Sequence, residues 1–147
     1  MKTSSLNFTE LKNIVSIANN YGVDKKELLE NIENENNDFE VDNYRFILES
    51  DAEEIAKNMY ECDAYMLGCF NDWFIADNCN INCRAVQALQ KAEAFTELGE
   101  MMLDNGIDEL ISEYCRLDGY GHVFGSYDGN NDEVTINGDL YIVFRTN

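Results

Sequence analysis

The residues whose type and spacing could do chemistry in this chain are carboxylates. Glu93, Glu97, Glu100 and Asp104 recur at i, i+4, i+7 and i+11. On a helix that spacing puts four carboxylates on one stripe, with successive acids about 5–6 Å apart along the axis. Phosphates along one DNA strand are separated by comparable distances. Asp108, Glu109 and Glu113 extend the stripe if the next helix packs beside it. A second set, Glu27, Glu30 and Glu33, lies near the N-terminus. Like charges at i, i+4 destabilise a helix by about 0.2–0.5 kcal/mol per pair, so an indifferent surface would mix in lysines. The only base on this segment after Arg84 is Lys91. The stripe reads either as a solvated face or as a surface that meets a basic partner.

Other reactive groups are sparse. Cys79-x3-Cys83 is the one close cysteine pair. Zinc would need His122, Cys62, Cys69 or Cys115 to complete the site, and no second close pair exists. We therefore expect small reduced thiols, no metal and no cofactor. His122 is the only histidine; paired with a cysteine it would make a nucleophilic dyad, but no nucleophile motif surrounds it. It reads as a strand histidine with a structural hydrogen bond. Asp128-Gly129-Asn130-Asn131-Asp132 lacks the spacing and distal Glu of an EF-hand and reads as a turn. No phosphate-binding or nucleophile-elbow motif is present. No catalytic residues are assigned, and an enzyme is not expected.

The elements that must position the acids follow from periodicity. Leu11, Ile14, Val15 and Ala18 mark a helix over 8–20, with Asn7 and Glu10 as a capping box and Gly22 as its stop. Asp24 and Glu27 repeat the capping-box spacing for a second helix with Leu28, Leu29 and Ile32 inward. That helix frays into a polar loop, Glu33 to Asp38. Phe39–Glu49 is ambiguous between a strand and a helix lead-in. Ser50 or Asp51 caps a helix over Ala52–Tyr60 with Ile55, Ala56 and Met59 inward. Tyr65–Ala76 reads as one buried helix and Asp77–Asn82 as a turn. Arg84–Leu103 reads as one long helix whose core face is Ala88, Ala92, Phe95, Gly99 and Met102. A short helix follows over Asp108–Cys115. Tyr120–Tyr127 alternates like a strand. Val134–Ile136, Asn137-Gly138 and Leu140–Phe144 form a type I′ hairpin signal. The expectation is an α+β fold in one domain over 1–147. About five or six helices (7–117) precede a C-terminal three-stranded antiparallel β-meander (120–146), whose open edge offers a route to a homodimer.

The chain has 147 residues, 29 acids against 10 bases and a net charge of −19. The acids concentrate in Asp24–Asp63 (net −10) and Glu93–Asp139 (net −11). A folded domain of this length is roughly 40 Å across, so it approaches the charge of a DNA segment of its own size. This excludes direct nucleic-acid binding through phosphates and docking on anionic membranes. Solubility and halophilic adaptation are the plain alternatives. The apolar fraction of 45% with 8 Phe and 8 Tyr excludes a disordered acidic tail. No signal-peptide pattern or membrane-length apolar run is present. Five cysteines without secretory signals point to the cytoplasm.

Ile17–Leu28 resembles the core of a helix-turn-helix motif, with Ala18, Gly22-Val23 and Leu28 at its small, turn and buried positions. Glu27, Glu30, Glu33 and Glu35 would repel phosphates after its first turn, so protein contacts suit the pair better than DNA.

In composition and charge layout the chain resembles the small acidic DNA-mimic proteins of phages and mobile elements, of anti-restriction and anti-CRISPR type. That resemblance implies a partner-binding surface made of the acids named above and a basic nucleic-acid-binding protein as partner, either a defence nuclease or a CRISPR effector. Occlusion is the implied mode of action, in the host cytoplasm. An immunity protein or antitoxin against a basic nuclease toxin fits the same features, as does a regulator that uses the helix pair. Tyr120, Tyr127 and Tyr141 are the candidate aromatic anchors.

Overall fold

The computed structural model describes residues 6–147. These residues form nine α-helices and a four-stranded antiparallel sheet, an α+β fold. The chain divides into two compact units. One runs to Ala52 and resumes over Gly119–Asn147; the other is Glu53–Asp118.

The first unit begins with α1 (Phe8–Tyr21). Asn7 and Glu10 close the expected capping box, with Glu10 N–H donating to Asn7 Oδ1 at 2.8 Å and Asn7 N–H to Glu10 Oε1 at 3.0 Å. Gly22 ends the helix at φ 68°, a left-handed conformation that glycine adopts without a Cβ penalty. Ile14, Ile17 and Ala18 are buried, whereas Leu11 and Val15 are 36% and 39% exposed. The heptad-like spacing fits either face. Packing against α2 (Lys25–Glu33) and β3 (Asp132–Ile136) selects the one with Ile17. Asp24 caps α2 by accepting from Glu27 N–H at 2.9 Å. Its own N–H goes to Asp42 at 2.9 Å, so the second arm of the expected capping box is supplied from a distant turn.

Asp38–Glu49 resolves as β1 (Asp38–Val41), β2 (Tyr44–Leu48) and the opening of a 3-10 turn (Glu49–Asp51). With β3 and β4 (Asp139–Arg145) they form a sheet in the order β1-β2-β4-β3. The C-terminal three-stranded meander is therefore corrected to two hairpins joined through β2 and β4, with Tyr44 opposite Arg145 and Leu48 opposite Tyr141. Tyr120–Tyr127 is not a strand. Its first part is a helix, α9 (Tyr120–Val123), flanked by Gly119 and Gly125 at positive φ. Tyr120 stacks on Phe124 one helical turn away, and Gly121 lies against the Asn130 backbone, which a Cβ would approach to 2.4 Å. The Asn137-Gly138 turn has both residues at positive φ, 52° and 91°, as a type I′ hairpin requires. The core of this unit joins Ile14, Ile17 and Leu28 to Phe39, Phe46, Ile136 and Val143.

The second unit is helical. It holds all of α3 (Ala52–Glu61) after its first residue, then α4 (Ala64–Gly68), α5 (Asp72–Cys79), α6 (Cys83–Lys91), α7 (Phe95–Asn105) and α8 (Asp108–Asp118). On α3, Ala52 and Ala56 are buried, but Met59 is 39% exposed and does not face inward. The expected Tyr65–Ala76 helix is broken into α4 and α5. Asn71 Oδ1 accepts Trp73 and Phe74 N–H, starting α5 afresh, while Gln90 Nε2 donates to the Gly68 and Phe70 carbonyls. Trp73, placed inside by the sequence, is 61% exposed. The turn expected at Asp77–Asn82 shrinks to the residues after Cys79, with Asn80 at φ 55°.

Arg84–Leu103 is also two helices. α6 closes at Ala92, and Ala94 N–H donates to Leu89 O at 2.8 Å across Glu93, which has φ 58°. This is a Schellman-type ending with glutamate where glycine is usual. The single core stripe expected for this segment is lost with it: Ala88 and Ala92 are exposed, while Gly99 and Met102 remain buried. α7 then crosses α4 with backbones in contact. A Cβ on Gly99 would lie 1.8 Å from Ala64 O, and one on Gly68 2.0 Å from Phe95 O.

Candidate functional site

The candidate site is the solvent face of α7 and its continuation into α8. Leu98, Gly99 and Met102 point into the unit. At 100° per residue the opposite side of α7 carries Glu97, Glu100, Met101 and Asp104, and all four are exposed. No lysine or arginine interrupts α7. From Glu97 to Asp104 the ridge is about 10 Å long. Glu93 is not on it, because the left-handed turn carries that residue off the helix. The four-carboxylate stripe is therefore corrected to three carboxylates on one helix.

Sequence reasoning missed Met101. It is 40% exposed at the edge of the three-acid stripe. The signal was available: Met101 sits at i+4 from Glu97, on the same side of the helix.

Past Gly106 the acidic surface continues on the first turn of α8. Asp108 and Glu109 are exposed, and Asp108 Oδ1 pairs with Lys57 Nζ at 2.7 Å. The surrounding carboxylates, Asp108 foremost, raise the Lys57 pKa above the usual lysine value. Glu113 is half-buried on α8 and accepts from Arg116 at 2.7 Å. An open groove of about 430 Å³ adjoins the ridge, lined by Asp77, Asn80, Asn105, Asp108 and Glu109. Asn105 Nδ2 holds its wall by donating to Cys79 O at 2.8 Å. Asp77 was not among the expected site residues.

Glu27 and Glu30 are exposed on α2 and Glu33 is half-buried there. They belong to the first unit, whereas the ridge belongs to the second. Of the aromatic anchors, Tyr127 is 65% exposed with Arg145 over its ring, and Tyr120 is half-buried on Phe124. Tyr141 is 5% exposed and packs on Phe39, so it is not an anchor for a protein partner. His122 lies exposed on α9, not on a strand.

Three of the five thiols, Cys79, Cys83 and Cys115, are held toward the protonated form. Burial pushes Cys79 and Cys115 up to about 11, the latter helped by Glu53. Burial, with Asp72 and Asp77, also raises Cys83. Among the described residues no group of three or more His, Cys, Asp or Glu side chains is placed to hold a metal ion.

No protein-family model, curated protein or solved structure matches this chain.

The electrostatics of the ridge carry the functional reading. The Glu53–Asp118 segment has 14 acids against four bases, and two of those bases, Lys57 and Arg116, are paired with acids of α8. No described helix is long and apolar enough to cross a membrane.

Proposed function

We propose that this chain is an acidic inhibitory binding protein. Its α7–α8 ridge occupies the basic nucleic-acid-binding surface of a defence nuclease or CRISPR effector and excludes the nucleic acid by steric and electrostatic occlusion. The observation that carries this reading is the base-free face of α7, where Glu97, Glu100 and Asp104 form an acidic stripe with the exposed Met101 at its edge. Carboxylates on such a surface steer a basic partner and raise the association rate. Burial of the adjoining Met101 side chain on contact adds affinity that does not depend on charge. The reading places the protein in the cytoplasm of the cell that holds its target, with no cofactor and no catalytic step.

The test is affinity capture from host lysate with the wild type and with Glu97→Lys/Glu100→Lys/Asp104→Lys, at low and high salt. Wild type retains a basic nucleic-acid-binding protein at low salt and loses it at high salt, and the triple variant retains none. Equal retention by the folded triple variant refutes the ridge as the contact surface.

A further inference from the structure

Helix α1 has two apolar faces and the core takes only one. Ile14, Ile17 and Ala18 are buried, and the other side keeps Phe8, Leu11 and Val15. At 100° per residue these three fall within about 60° of one another, a seam with the i, i+3, i+7 spacing of paired helices. Phe8 is 75% exposed, more than any other large apolar side chain among the described residues, so no described element of the chain covers the seam.

The charge around the seam selects what can meet it. Up to Val23 the only acid is Glu10, against Lys2 and Lys12; every other acid of the 29 follows Val23. Glu10 is turned back to the start of its own helix, where it accepts from Asn7 N–H at 3.0 Å. The other exposed groups of α1 are Thr9, Lys12, Ser16, Asn19 and Asn20, and only Lys12 is charged. Its Nζ lies 5.6 Å from the centre of the Phe8 ring. A basic surface finds no carboxylate here, and an acidic one finds a single lysine. A second copy of this chain finds an identical apolar seam, and the two meet on an acid-free strip of a molecule whose net charge is −19. The sheet edges, the expected route to a homodimer, are poorer: β1 exposes Glu40 and β3 exposes Glu133, charges that discourage strand pairing.

The seam is also self-complementary. About a two-fold axis near Leu11, an antiparallel pair sets Phe8 of one protomer beside Val15 of its partner, and the reverse. Area sets the strength. With 14 residues, α1 is about 21 Å long and about 10 Å across, a contact well below the roughly 800 Å² per partner of a standard stable interface. The pairing is therefore weak and depends on concentration.

We infer that α1 pairs antiparallel with α1 of a second copy of this chain, through Phe8, Leu11 and Val15, to form a weak homodimer. The inference does not depend on the acidic ridge, which lies in the other unit.

The test is sedimentation velocity of the full chain from micromolar to millimolar concentration, at low and high sodium chloride, for wild type, Phe8→Ser and Val15→Glu. Wild type shifts from monomer to dimer as concentration rises. It does so more readily at high salt, which screens the repulsion between two chains of like charge. That direction is opposite to the salt response of the ridge. Each substitution lowers the association constant at least about tenfold, through lost apolar contact area. Both positions are exposed in the single chain, so thermal unfolding at low concentration is unchanged in both variants and separates lost pairing from lost folding. A wild type that sediments as monomer at every concentration, or a dimer that both variants retain, overturns the inference. So does a monomeric wild type whose seam instead holds a different protein from lysate, released by Phe8→Ser.

Discussion

The α-carbon of Gly99 on α7 faces the carbonyl oxygen of Ala64 on α4 so closely that an added Cβ would sit 1.8 Å from it. The reciprocal contact is made by Gly68 against Phe95. This pair of contacts sets α7 on α4 and turns Glu97, Glu100 and Asp104 outward. Replacing Gly99 by Ala adds about 1 kcal/mol of helix propensity, yet the methyl must displace backbone, and overpacking costs about 1–3 kcal/mol. Sterics win. Gly99→Ala lowers stability by up to about 2 kcal/mol in urea unfolding, whereas an unobstructed glycine in mid-helix would show a gain.

Glu93 gives a sharper test of the break between α6 and α7. Its φ of 58° costs a residue with a side chain roughly 1–2 kcal/mol relative to right-handed backbone. Glu93→Gly relieves that strain, less the extra entropy glycine loses on folding. The expected gain is about 0.5–1 kcal/mol by thermal or urea unfolding. In one continuous helix the same change would instead cost about 1 kcal/mol.

How much of this was legible in the sequence depends on where local chemistry decides. Asn7 with Glu10, and Asn137 with Gly138, act over three or four residues, and the structure keeps both as read. Lys91-Ala92-Glu93-Ala94 holds no glycine or proline, so nothing local announces the break. It is imposed by the approach of Phe95 to Gly68, a contact between residues far apart in the chain. The same holds for Tyr120–Tyr127, where alternation fits a strand but the Gly121 contact with Asn130 accompanies a helical turn. The acids of α7 were legible as a set. Their surface was not, because it depended on where that helix begins.

The ridge also predicts a salt response. Glu97 and Glu100 stand at i, i+3, and Glu100 and Asp104 at i, i+4, each repelling by about 0.2–0.5 kcal/mol. Glu97→Gln/Glu100→Gln/Asp104→Asn raises stability by about 0.5–1 kcal/mol at low ionic strength. The gain shrinks as salt screens the wild type. Thermal unfolding of both proteins across a sodium chloride series measures it.

The thiols predict an alkaline limit. Cys79 and Cys115 titrate near 11 when folded, above the ordinary thiol value, so the folded state holds those protons more tightly. Their contribution is complete below about pH 8.5, declines as pH rises, and is gone above about 11. Cys79→Ala/Cys115→Ala flattens the fall in stability between those limits. Timed alkylation at pH 8 should modify the exposed Cys62 and Cys69 first and the two buried thiols only on unfolding.

The measurement closest to the central claim is competition. The captured partner is bound to labelled nucleic acid and titrated with this protein, with and without the Glu97, Glu100 and Asp104 charge reversals. Wild type is expected to displace the nucleic acid to completion at one equivalent, more weakly as salt rises, and the reversed variant to displace none. A stable ternary complex of partner, nucleic acid and wild-type protein would contradict it.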